Sequence, residues 1–204
     1  PFIRDEVETS SFILQFAFTL NPLIAIFANF GFGFLSEFYN KKNLLIITLI
    51  SFLSGSLLCF YSSTIGIFLL GRFFQALGDG GIAVLGLAIL SIISKEQFAY
   101  YLGVSSASFA IAWGTAPLLG TLIFNLIGWR WNFLIIFLLV LLTMLLLIFY
   151  LPGNLLTAPK NKPFSISSMW DNTVKLLNNH NFAACNWATS IVIGTFGAFE
   201  VNSP

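Results

Sequence analysis

Apolar and polar positions alternate along this chain in long blocks, without the short period of a half-buried strand. Six apolar blocks, each near the ~20 residues that cross a bilayer, run Ser11–Phe38, Leu44–Tyr61, Ile65–Ile93, Tyr101–Leu126, Phe133–Leu151 and Phe182–Val201. The short connections between them carry breakers or charges: Tyr39-Asn40-Lys41-Lys42, Ser62-Ser63-Thr64, Ser94-Lys95-Glu96-Gln97 and Gly128-Trp129-Arg130. One connection is long. It runs from Pro152 to about Asn181, holds Pro152, Pro159 and Pro163, and includes an amphipathic piece near Ile166–Leu177 suited to a membrane surface. The pattern predicts an all-α, polytopic membrane helix bundle, with the long connection as a hinge between two bundles.

Within the third block, two ionisable side chains interrupt the apolar run: Arg72 and Asp79. Charge is kept at membrane depth mainly where something must move past it. Arg72, Gln75, Ala76 and Asp79 follow i, i+3, i+4, i+7 spacing, which stacks them on one helical face as a polar stripe and points to a transport pathway. Two turns separate Arg72 from Asp79, roughly 10 Å along the axis, too far for a close direct pair, so the partner of Asp79 is expected on another helix. A carboxylate so placed is a candidate for reversible proton uptake or cation binding, against a structural ion pair with a further helix. Phe73 and Phe74 beside the stripe could suit flat apolar ligands, although Phe is abundant throughout.

Small residues mark packing faces. Ser108, Ala112, Ala116 and Gly120 recur every four residues, and Ala17, Asn21, Ala25, Asn29 and Gly33 repeat that spacing on the first block; both offer surfaces on which another backbone can approach closely. Pro117 lies within the former face, where a missing donor and a clash with the preceding turn predict a kink.

Composition sharpens the class. The chain is 57% hydrophobic and 8% charged, with a mean hydropathy of +0.90, against about 25% charged in soluble domains. Lipid must cover the apolar surface that a core of this length cannot bury. The net charge of +1 says nothing about nucleic acid, and without a Lys/Arg patch interleaved with exposed aromatics no nucleic-acid partner is expected. Cys59 and Cys185 lie far apart without a Cys-x-x-Cys partner and His180 is the sole histidine, which argues against a metal site. No Ser/His, paired Asp or His/Glu arrangement falls within the spans, so catalysis is not expected. Lys41, Lys42, Lys95, Lys160, Lys162 and Lys175 fall in alternate connections on one side, and Arg4 and Arg130 on the other; the positive-inside rule places the lysine side in the cytoplasm. The chain begins at Pro1, its charged stretch Arg4 to Glu8 is unlike a signal peptide, and it ends directly after an apolar run, so a fragment of a longer protein with an earlier span upstream is expected.

Three segments together resemble the major facilitator superfamily, and most closely its drug:proton antiporters of the bicyclomycin-resistance (Bcr/CflA) type. Gly33-Phe34-Leu35-Ser36-Glu37-Phe38-Tyr39-Asn40-Lys41-Lys42 is similar to the family's Gly-x-Leu-x-Asp-Arg-x-Gly-Arg-Arg gating loop between its second and third helices. Gly33 would permit close approach, Glu37 would place an anion at a helix end, and Lys41 and Lys42 would neutralise it and anchor the loop to anionic headgroups. Glu37, Phe38 and Asn40 replace the aspartate, the arginine and the second glycine, and Asn40 still tolerates a left-handed turn. Arg72 to Gly81 resembles the family's Arg-x-x-Gln-Gly-x-Gly pattern, in which the arginine is linked to proton movement; Arg72 and Gln75 match and Ala76 stands for a glycine. Ala112 to Thr121 resembles the antiporter element Gly-Pro-x-x-Gly-Gly, with Pro117 and Gly120 matching and Ala116 and Thr121 replacing glycines. Gly128-Trp129-Arg130 looks like the outer turn before the sixth helix, and Trp129 and Trp131 fit an interfacial aromatic belt.

The resemblance implies a partial major facilitator fold, helices two to seven of twelve. Residues 1–151 would form an N-terminal half-bundle lacking its first helix, 152–181 a cytoplasmic linker, and 182–204 the first helix of the C-terminal half. It further implies a proton-coupled secondary transporter that exports drugs or small amphipathic metabolites by alternating access across the bacterial inner membrane. Its partners would be a small-molecule substrate, protons and the lipid bilayer, with no cofactor and a monomeric full-length state. An importer of a small solute, disfavoured by the Pro117 element, and a non-transporting membrane receptor or scaffold on the same fold are the alternatives.

Overall fold

A backbone that crosses lipid must satisfy its own N–H and C=O groups, and a helix does so within one segment. The computed structural model describes residues 11–151, together with 174, 175 and 178, with side chains described from residue 20 onward. Every regular element from 11 to 151 is an α-helix: α1 Ser11–Leu35, α2 Lys41–Phe60, α3 Ile65–Ile93, α4 Phe98–Ile127 and α5 Arg130–Tyr150, all within the compact unit Pro1–Lys160. Four of them, α2 to α5, are long and apolar enough to cross a membrane. The long connection, its amphipathic piece and the apolar run Phe182–Val201 lie outside the described residues.

The five described helices follow the first five apolar blocks in order and differ from most of them at their ends, because hydropathy marks the lipid-immersed part while the hydrogen-bond ladder continues to its caps. α2 starts at Lys41 rather than Leu44, since the Asn40 side chain accepts from Lys42 N at 2.9 Å. Asn40, a residue that tolerates a left-handed turn, does not use one here: its φ is −62° and ψ 120°, the extended geometry an N-cap adopts. α1 stops at Leu35, short of Phe38, as the chain tightens through bonds from Glu37 N to Phe34 O and Phe38 N to Leu35 O, both 3.1 Å. Thr64 caps α3, its hydroxyl accepting from Ile67 N at 3.4 Å. α4 continues unbroken through Pro117. At Gly128, φ is +100°, a conformation that L side chains rarely adopt.

α3 is the hub, packing most extensively on α2 and α1, while α2 also packs on α5. Glycines set the distance between the helices. A Cβ at Gly78 would lie 2.6 Å from both Phe52 Cβ and Thr48 O, one at Gly71 would lie 2.6 Å from Cys59 Sγ, and one at Gly80 would lie 2.5 Å from Ala25 O. Two apolar clusters fill the crossings. Leu44, Leu45, Leu49, Leu85 and Ile89 form one, with Val140 and Met144 of α5 against it. Cys59, Phe68 and Trp129 form the other, with Phe124 and Phe133 packed around them.

Two cations fasten α5 to the α2–α3 hairpin, one at each end. Lys42 Nζ donates to Ile148 O at 2.9 Å and Leu151 O at 2.6 Å, at the C-terminal end of α5, where a positive charge complements the helix dipole. Arg130 Nη2 donates to Ser62 O at 2.9 Å, and its guanidinium lies 4.9 Å from the centroid of the Trp129 ring. Trp129 is accordingly a core residue, 6% exposed, which corrects its expected place in an interfacial belt: the Phe68 and Phe133 rings, both edge-on to it, enclose it. Trp131 is exposed and meets Phe60.

Candidate functional site

The polar stripe on α3 divides in three dimensions. Ala76 and Gln75 are buried in the helix bundle, Arg72 is half-buried, and Asp79 is exposed in the isolated unit. Seven residues make nearly two full turns, so Arg72 and Asp79 share a face of α3. Asp79 makes no hydrogen bond or ion pair among the described residues, in keeping with the separation expected from their spacing.

Arg72 is tied to the α2–α3 interface through Gln75. Its Nη1 donates to Gln75 Oε1 at 2.8 Å, one turn along α3, and Gln75 Nε2 donates to Ser56 Oγ of α2 at 2.9 Å. Ser56 Oγ in turn donates to Phe52 O at 2.9 Å. Cys59 Sγ lies 3.9 Å from Gln75 Oε1 and 3.8 Å from Phe68 O, long contacts in keeping with a weak thiol donor. Room for this network exists because Gly55 and Gly71 bring the helices together beside it: a Cβ at Gly55 would lie 2.5 Å from Gly71 O and 2.6 Å from Gln75 N.

Reading the sequence missed Ser56 and the glycines of the interface. Gly71, Gly78 and Gly81 lie at i, i+7 and i+10, on one side of α3. That spacing was a legible sign of a close-packed face, overshadowed by the charged stripe among the same residues. At Gly33, where close approach was expected, a Cβ would make ordinary contact with Val84 at 3.5 Å. The tight passage on α1 lies instead at Ala25 and Ala28, which receive Gly80. Asn21 is half-buried, and its Oδ1 is buried without a hydrogen-bond partner. Ala17 precedes the residues whose side chains are described.

The loop from Gly33 to Lys42 is held in part by bonds to backbone carbonyls. Glu37 is exposed just beyond α1. Lys41 Nζ donates to Ser36 O at 2.7 Å, and Ser36 Oγ donates to Gly33 O at 2.7 Å. Lys42 turns away to the end of α5. The lysines thus satisfy helix-end carbonyls that a short loop leaves without partners.

On α4, Ser108, Ala112 and Ala116 are exposed and Gly120 is partly so, and nothing lies within 4 Å of a Cβ built at Gly114 or Gly120. No helix among the described residues covers that face. Thr115 Oγ1 donates to Ile111 O at 2.8 Å, and Thr121 Oγ1 donates to Pro117 O at 2.8 Å, each a hydroxyl back-bond to the carbonyl one turn earlier. Phe73 lines an apolar groove of about 310 Å³ between α1 and α3, with Ile24, Phe27, Phe32 and Leu77. One residue is about 100° of helix, so this groove and the Arg72 face are separate surfaces.

The arrangement is a membrane bundle with a braced arginine and an exposed carboxylate on one helix face, and its match to known sequences agrees. The profile of the Major Facilitator Superfamily matches residues 1–203. The chain belongs to the major facilitator superfamily. Among curated relatives, this facilitator chain is 28% identical over 182 residues to an uncharacterized transporter of Buchnera aphidicola subsp. Baizongia pistaciae (strain Bp), covering 89% of this chain and 45% of the relative. It is 30% identical over 119 residues to Multidrug resistance protein 3 of Bacillus subtilis (strain 168), covering 57% of this chain and 23% of the relative. It is 36% identical over 103 residues to the MFS-type efflux pump MMF1 of Pseudozyma antarctica (strain T-34), covering 50% and 19%. The chain therefore spans less than half the length of these relatives. It has the fold of a multi-pass membrane transporter family.

Proposed function

We propose that this facilitator chain forms the first half-bundle of a proton-coupled exporter of the Bcr/CflA type, one that moves drugs or small amphipathic metabolites out across a bacterial inner membrane by alternating access. The observation that carries the reading is the pairing on one face of α3 of Arg72, braced from behind by Gln75, with Asp79, exposed and unbonded among the described residues. Partial sequence likeness to a multidrug resistance protein and an efflux pump supports the choice of cargo. In a transporter of the relatives' length, substrate would bind between two such bundles, near the membrane midplane, and each state would open to one side.

Asp79 is the proton-coupling residue in this proposal, and Arg72 lines the pathway beside it. Glu37, Lys41 and Lys42 sit at the cytoplasmic gate, and the small face Ala112, Ala116, Gly120 with Pro117 is where a further helix packs and rocks. A proton crossing 100 mV releases roughly 2.3 kcal/mol per charge, which would sustain an approximately fiftyfold gradient of a neutral substrate exchanged one for one.

The test is proton-driven uptake of drug and metabolite panels into inverted vesicles carrying the full-length protein. Asp79→Asn should abolish uphill uptake while leaving downhill counterflow. Uphill uptake unchanged in Asp79→Asn would remove the coupling role. Ligand binding with no flux by any substrate would instead favour a receptor or scaffold on the same fold.

A further inference from the structure

The guanidinium of Arg72 is oriented by a hydrogen-bond chain whose direction is decided on the neighbouring helix. Gln75 is 3% exposed and Ser56 fully buried, so neither can exchange partners with bulk solvent. A serine hydroxyl has one proton and two lone pairs. The Ser56 proton is committed to Phe52 O at 2.9 Å, which leaves Ser56 Oγ only the acceptor role toward Gln75, also at 2.9 Å. The NH₂ end of the Gln75 amide must therefore face α2 and its carbonyl end must face Arg72 Nη1, 2.8 Å away. A flipped amide would set donor against donor on the guanidinium side. It would also leave Gln75 Oε1 facing a hydroxyl oxygen whose proton is engaged elsewhere.

We propose that Ser56 is a positioning residue for Arg72, acting through Gln75 to fix the guanidinium on the side of α3 that carries Asp79. The position follows from the crossing of α2 and α3: Gly55, directly before Ser56, passes Gly71 closely enough that a Cβ would lie 2.5 Å from the Gly71 carbonyl oxygen. Only with such close passage does a side chain as short as serine reach Gln75. Ser56→Ala leaves the Gln75 NH₂ group buried without an acceptor and lets the amide turn, so that Arg72 loses a charge-assisted partner. Ser56→Thr keeps the acceptor and the direction of the chain.

The proposal rests on the reading of Arg72 as a pathway residue, so one measurement is chosen that needs no transport. Phenylglyoxal modification of Arg72 in the full-length protein, followed by peptide mass spectrometry with Arg130 as internal reference, reports how firmly the guanidinium is held. Losing a hydrogen bond to a charged group changes such an equilibrium by about tenfold. The expected result is a rise of about tenfold at Arg72 in Ser56→Ala, little change at Arg130, recovery in Ser56→Thr, and a parallel fall in uptake. Should Ser56→Ala not accumulate in membranes, Ser56→Cys, close in volume and a weak acceptor, takes its place in the same comparison. Arg72 reactivity equal to wild type overturns the proposal, as does a parallel rise at Arg130, which reports general loosening. A rise confined to Arg72 with uptake unchanged keeps the positioning role and removes Arg72 from the transport pathway.

Discussion

Replacing Gly55 by alanine tests whether the α2–α3 crossing and the Arg72 network are one construction. The added Cβ would stand 2.5 Å from Gly71 O and 2.6 Å from Gln75 N, both backbone atoms that no rotamer change can remove. Restoring ordinary contact at 3.4 Å requires the helices to part locally by about 0.9 Å. The Gln75–Ser56 bond, 2.9 Å at the same level of the crossing, then stretches beyond hydrogen-bonding range. Overpacking of this kind costs about 1–3 kcal/mol and the lost buried bond about 1 kcal/mol more, so Gly55→Ala should destabilise the bundle by about 2–4 kcal/mol. The assay is equilibrium unfolding in mixed detergent micelles, with Gly86→Ala as the control. Gly86 lies on α3, across the same hairpin from Gly55, and nothing lies within 4 Å of its Cβ position, so that variant should stay within about 0.5 kcal/mol of wild type or gain slightly from helix propensity. Equal stability of the two variants would refute the reasoning, because it would mean that backbone contact at this crossing does not limit the packing.

Two further substitutions address the ends of the bundle. Lys42→Met removes the ammonium that Ile148 O and Leu151 O share and should loosen the last turn of α5 by about 1 kcal/mol, read as faster amide exchange over residues 145–151; unchanged exchange would show that the cap is dispensable. Gly128→Ala forces a Cβ onto a φ of +100° and should cost about 1–3 kcal/mol; unfolding at the wild-type midpoint would show that the turn relaxes to a negative φ without strain.

Much of the fold was readable in one dimension because lipid imposes it. The third apolar block coincides with α3 from Ile65 to Ile93, and the other described helices differ from their blocks by a few residues at caps that hydropathy does not register. Loop details were less accessible. Asn40 could tolerate a left-handed turn and instead caps α2, since the same short amide serves either role and only the next helix's free N–H groups decide which. Trp129 and Trp131 are near neighbours in sequence with opposite fates, one enclosed by Phe68 and Phe133 and the other exposed, a difference that depends on where α5 crosses the hairpin.

By itself the sequence determined that the chain crosses a membrane as helices, where those helices lie, and that Arg72, Gln75 and Asp79 share one side of the third. Periodicity and hydropathy act along a single segment, so they need no partner to be legible. Only the tertiary structure decided that Gln75 reaches across to Ser56, that Lys42 caps a helix more than a hundred residues away, and that glycines of α2 and α3 set the spacing between them. Those outcomes depend on the angle and distance at which helices cross, which are collective properties of many side chains at once and are written in no single stretch of the chain.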